Sequence, residues 1–173
     1  MLLKNIYNSP MGKILILVDE KRLKGLWFED QKYFGAKYDI SNIEFGENEV
    51  IQEVRYWLKK YFSGENPKVN INILSIEGTE FRKKVSEVLL SIPYGQTISY
   101  KRVSDILFEK YGMKTSARAV GGALGHNPIS ILIPCHRVIA TNGLLTGYAG
   151  GISKKIELLI IEGFDKKFLE SKI

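Results

Sequence analysis

Three short apolar runs open the chain, at residues 3–7, 13–18 and 23–28, and the stretches "NSPMG" and "DEKRL" separate them. Short β-branched and aromatic runs bounded by turn residues predict an antiparallel meander. The period then changes. From Glu47 to Tyr61, apolar Val50, Val54, Trp57, Leu58 and Tyr61 recur at helical spacing until "SGENP" breaks the pattern, which predicts one amphipathic helix. Residues 66–76 alternate only weakly and read as a connector, so a boundary is expected near Ile76.

Beyond it the pattern is helical. Thr79 is placed to cap a stripe of Phe81, Val85, Val88, Leu89 and Ile92, which Pro93 and Gly95 stop. Ser99 is placed to cap a helix with Val103, Ile106 and Leu107 inward, ending near Gly112, and Ser116 to cap the small-residue stretch "ARAVGGALG". Two short helices joined in this way resemble a helix-turn-helix unit. A last helix is expected over Ser153–Glu162, closed by Gly163. The predicted fold is α+β, with a small N-terminal domain of antiparallel sheet and helix at 1–76 and a mostly helical domain containing a helix-turn-helix at 77–173. No repeat or low-complexity tract interrupts it.

A chain of 173 residues can bury a core without staples, and its single cysteine cannot form an internal disulfide. No apolar run approaches the roughly 18–20 residues that span a bilayer, and the first 22 residues lack the pattern of a secretory signal. The expected setting is reducing and cytoplasmic, with no membrane partner. The net charge of +6 suits a polyanionic partner, although composition alone does not require one.

The one cysteine lies in "ILIPCHRVI", directly before one of only two histidines. Pro134 has no N–H, so a regular ladder is interrupted there and the chain bends. In a straight strand Cys135 and His136 would point to opposite faces, so a working pair needs that bend or a bridging water. A free thiol is only a few per cent thiolate at neutral pH, and burial lowers the fraction further. A nucleophile therefore needs a base, for which His136 is the candidate, and a carboxylate on the other ring nitrogen would fix its tautomer. Glu162 suits that role. It lies at a helix C-terminus, where the macrodipole disfavours an anion, on a stripe with Lys155 and Leu159.

Each residue also has a plain structural reading. Free cysteines are usually packed and inert, Asn127 before Pro128 is an ordinary turn residue, and Tyr148 among glycines can anchor a loop. A cysteine protease would use similar groups, but it normally draws them from distant segments. One cysteine with His126 and His136 cannot complete a four-ligand zinc site without carboxylates, so no metal is expected.

Taken together, "IPCHRV" preceded by "RAVGGALGHNP" and followed by "NGLLTGYAGG" and "EG" resembles the O6-alkylguanine-DNA alkyltransferases, or methylated-DNA–protein-cysteine methyltransferases, collinearly from about Thr79 to Gly163. The resemblance implies direct DNA repair in a single turnover without a cofactor. The alkyl group of O6-alkylguanine passes to the protein's own cysteine after base flipping, and activity on O4-alkylthymine is left open by the sequence. It makes Cys135 the acceptor, His136 the water-mediated base and Glu162 the orienting carboxylate. Asn127 braces the turn, and Tyr100 helps rotate the target nucleotide. Arg118 fills the gap left in the stack, while Ser116, Ala117, Ala119, Gly121, Gly122 and Arg137 join it at the DNA. Val138, Tyr148, Ala149 and Lys155 belong to the pocket for the flipped base. The implied partner is double-stranded alkylated DNA approached through the minor groove by a monomer, and the N-terminal domain is expected to be ribonuclease-H-like. "FEKYGMKTSARAV" lengthens the link between the two helices relative to some members. Relatives that bind lesions without accepting the alkyl group lack the cysteine, and a generic helix-turn-helix regulator would instead prefer a sequence in undamaged duplex.

Overall fold

In the computed structural model, which describes residues 1–173, the three opening runs are strands β1 (Leu3–Ser9), β2 (Gly12–Val18) and β3 (Leu23–Phe28). They pair antiparallel in the order β3-β2-β1, and a two-residue strand β4 (Glu44–Phe45) adds parallel to β1. Nothing in the sequence signalled β4, because two residues carry no period. Ile14–Val18 of β2 are buried on both faces, and Leu15, Leu17 and Trp27 form one cluster beneath Tyr38, Ile40 and Ile43. The helix α1 (Glu49–Phe62) packs on β1 and β2 and buries Val50, Ile51, Val54, Leu58 and Tyr61. Asn48 caps it by accepting from Ile51 N at 2.9 Å.

The chain divides into two units, Met1–Ile76 with Pro128–Ser130, and Glu77–Asn127 with Ile131–Ile173. The three-residue return to the first unit follows from edge pairing. Leu26 N donates to Pro128 O at 2.8 Å and Ser130 N to Leu26 O at 2.9 Å, so the segment extends the open side of β3.

In the second unit, α2 (Glu80–Leu90), α3 (Tyr100–Tyr111) and α4 (Ala117–Gly125) pack on one another. Each carries its expected cap. Thr79 accepts from Arg82 N at 3.2 Å, Ser99 from Arg102 N at 2.9 Å and Ser116 from Ala119 N at 3.1 Å. Gly112 ends α3 at φ 67, a left-handed conformation that costs glycine nothing. Short strands β5 (Ile98–Ser99) and β6 (Val138–Ile139) pair in parallel and tie the start of α3 to the segment that follows the cysteine. The helix α5 (Ile152–Ile161) is not the last one. A five-residue α6 (Lys166–Glu170) follows, capped by Asp165 and held by buried Leu169, which joins Leu145, Ile156 and Leu159. Two adjacent apolar residues, exposed Phe168 and buried Leu169, leave no helical period to read. No helix is long and apolar enough to cross a membrane.

Candidate active site

Pro134 does bend the chain. Residues Cys135–Arg137 form a single 3₁₀ turn, which spaces successive side chains about 120° apart, so His136 and Arg137 reach one side together instead of alternating. Four residues earlier, buried Ile131 adopts φ 72. A β-branched residue there is strained by about 1–3 kcal/mol, and only tertiary packing holds it.

Cys135 is buried and its Sγ accepts from Asn127 Nδ2 at 3.3 Å. The same amide group donates to Ile133 O at 2.9 Å, which braces the stretch leading into the thiol. Burial pushes the Cys135 thiol above its ordinary range, while the Asn127 hydrogen bond and the Lys155 charge pull it back.

His136 is fully buried, and its Nε2 lies 2.5 Å from Glu162 Oε2. A carboxylate accepts, so Nε2 carries the proton and Nδ1 keeps a lone pair. That Nδ1 is buried and has no protein partner. Burial pulls the imidazole below its ordinary value, opposed by Glu162 and reinforced by the charges of Arg137 and Lys155, so it rests neutral at physiological pH.

Glu162 is the C-cap residue of α5, and its partners account for an acid at the negative end of a helix. Besides His136, its carboxylate accepts from Arg137 Nε at 2.8 Å, from Arg137 Nη2 at 3.2 Å and from Gly95 N at 3.0 Å. Burial alone would raise its pKa, but the hydrogen bonds from His136 and Arg137 and the Arg137 charge outweigh it and hold the group at about 2. Gly95 had no functional reading in the sequence beyond ending a helix. Its φ of 77, and the 3.2 Å that a Cβ there would leave to Glu162 O, are what require glycine.

Lys155 is fully buried in α5 and donates to Val138 O at 2.6 Å and Thr146 O at 3.1 Å. Burial lowers it to about 8, with the nearby Cys135 acting in the opposite direction. Tyr100 OH also donates to Thr146 O, at 3.2 Å, so Lys155 and Tyr100 grip the loop holding Tyr148 and Ala149 through one carbonyl. That carbonyl had no sequence signal, because backbone acceptors look alike in any loop. Val138 O retains a second lone pair for another donor.

The expected DNA-facing residues fall into two groups. Ser116, Ala117, Arg118, Ala119 and Gly122 are exposed at the start and along one side of α4, and Gly121 faces the Tyr100 ring. Arg137 stands apart from them. Its guanidinium is engaged by Glu162 and by Ile92 O at 2.8 Å, leaving its side chain 11% exposed.

Two family models match this chain: "6-O-methylguanine DNA methyltransferase, ribonuclease-like domain" over residues 2–76 and "6-O-methylguanine DNA methyltransferase, DNA binding domain" over 80–164. A methylated-DNA–protein-cysteine methyltransferase of Methanosarcina acetivorans is 40% identical, covering 91% of this chain and 96% of that protein. The constitutive methylated-DNA–protein-cysteine methyltransferase of Bacillus subtilis is 36% identical, covering 92% and 94%. The crystal structure of Mycobacterium tuberculosis OGT in complex with DNA superposes with a TM-score of 0.79 at 36% identity, covering 92% of this chain and 91% of that one.

Proposed function

Because the chain belongs to the 6-O-methylguanine DNA methyltransferase family, we propose that it repairs alkylated DNA by carrying the alkyl group away on Cys135. The observation that carries this assignment is that a protein-cysteine methyltransferase needs an acceptor thiol, and this chain has one cysteine, bonded to Asn127 beside a carboxylate-held histidine.

The thiol proton passes through a bridging water to Nδ1 of His136. Glu162 keeps Nε2 protonated and stabilises the imidazolium that forms, and Lys155 offsets the charge growing on sulfur. The thiolate attacks the alkyl carbon in line, the S–C bond forms as the C–O6 bond breaks, and guanine leaves with the electron pair and takes up a proton. No step regenerates the thiol, so each molecule acts once. No cofactor is required.

A guanine O6 inside a duplex is out of reach, and extruding the nucleotide costs a few kcal/mol, less for a damaged pair. The exposed small residues of α4 suit close approach to the minor groove, with Ser116 and the helix N-terminus beside a phosphate and Arg118 as the side chain that replaces the flipped base. Tyr100 rotates the nucleotide, while the carbonyls of Cys135 and Val138 and the loop at Tyr148 and Ala149 receive it. In this reading residues 77–173 hold the DNA-binding and acceptor functions, residues 1–76 form the ribonuclease-like domain, and the protein acts as a cytoplasmic monomer.

The test is intact-mass spectrometry after incubation with duplex DNA containing O6-methylguanine. One methyl increment per protein, located on the Cys135 peptide and absent from Cys135→Ser, is expected. Cys135→Ser should still bind the duplex. Tight binding of the lesion by wild type without any increment would make the protein a sensor and end this reading.

A further inference from the structure

Arg137 adjoins the proton-accepting histidine in sequence, yet it offers its guanidinium inward. Nε and Nη2 donate to the two oxygens of Glu162, Nη1 donates to Ile92 O, and the group lies 5.8 Å from the centroid of the Tyr94 ring. With the donors from His136 and Gly95, the Glu162 carboxylate accepts four hydrogen bonds, about the number of its lone-pair sites. We propose that Arg137 is a positioning residue for alkyl transfer, holding Glu162 as an acceptor already neutralised by charge, so that His136 stays unprotonated at rest and free to take the Cys135 proton.

The reasoning is charge balance in a buried site. With neutral imidazole, the group of His136, Glu162 and Arg137 carries no net charge, and protonating His136 would place a net positive charge out of water. Without Arg137 the same group would start at minus one, and a proton on His136 would bring it to neutrality. Burial penalises net charge, so loss of Arg137 favours imidazolium at rest. The base would then be occupied before the thiol arrives. Lys155, packed from α5 near Cys135, is the other cation facing the imidazole and acts in the same direction as Arg137. Tyr94, whose hydroxyl donates to Ile161 O at 3.0 Å, and the Cys135 thiol complete the titratable groups around the cluster. Arginine suits this position because its fork meets both carboxylate oxygens at once.

This inference rests on His136 being the base. The experiment is the pH dependence of single-turnover transfer to free O6-benzylguanine, which removes duplex binding from the rate, with folding of each variant checked by thermal melting. The expected result for Arg137→Met is an acid limb moved to higher pH by about one unit, a loss of about tenfold on that limb that shrinks at alkaline pH. Arg137→Lys keeps the charge and should restore the limb's position with a lower plateau. The double variant Arg137→Met with Glu162→Gln removes both charges together, so its limb should return towards that of wild type even if the single variant folds poorly. A uniform slowing at every pH, a limb left in place, or a double variant no different from the single one would overturn the role assigned to Arg137. His136→Gln separates the two layers: retention of the wild-type acid limb in that variant would remove the underlying assignment of the base, whatever Arg137 does.

Discussion

Through its carboxylate Glu162 accepts hydrogen bonds from His136, from Gly95 N and twice from Arg137. Its side chain is fully buried and its folded pKa is about 2, against about 4.3 for a free glutamate. A depressed carboxylate contributes stability that is present above the unfolded value and lost as pH falls through the folded one. Wild type is therefore expected to lose on the order of 3 kcal/mol from this group between about pH 4.5 and pH 2. Denaturant midpoints followed across that range should fall steeply for wild type and less so for Glu162→Gln, which starts lower because Arg137 is left buried without its counter-charge. Similar slopes for both would mean that the carboxylate titrates elsewhere. The sequence identified Glu162 by its awkward place at a helix end, but it could not supply the four donors that make that place tolerable.

Among the elements, α4 makes the most specific demands. Gly122 is exposed and helical, and a Cβ there would meet nothing within 4 Å. Gly122→Ala should therefore raise stability by about 0.5–1 kcal/mol, as expected for glycine in a helix interior. If α4 lies against a groove, the same methyl should weaken duplex binding, so a higher melting temperature with lower duplex affinity is the expected pair of results. Unchanged affinity would move the DNA contact off this face. Arg118→Ala should slow repair of duplex far more than transfer to free O6-benzylguanine, because the flipped geometry needs a side chain in the stack and the free base does not. Equal losses on both substrates would remove Arg118 from that role. The caps Thr79, Ser99 and Ser116 were legible in advance because capping is set within three residues of the chain. β4, α6 and the pairing of Pro128–Ser130 with β3 were not, since each is too short to carry a period and forms only where a neighbour supplies the missing partner.

For the molecule as a whole, the net charge of +6 sets an expectation about encounter. Attraction to a polyanion releases counterions, so repair of duplex should slow as salt rises from about 50 to 200 mM, while transfer to the free base should change little. Parallel salt responses for the two substrates would show that charge acts on the chemistry and not on DNA capture. Features written in local chemistry could be read along the chain: strand and helix periods, caps, the break at Pro134, and one thiol beside a histidine, together with the motif around it. Those depend on neighbours a few positions apart. It takes the folded chain to bring His136 to Glu162 across 26 positions, to carry Gly95 to the same carboxylate across 67, and to turn Arg137 inward to join them. Contacts at such separations exist only after α2, the 3₁₀ turn and α5 have packed, and burial then gives each charge its strength by removing the water that would screen it.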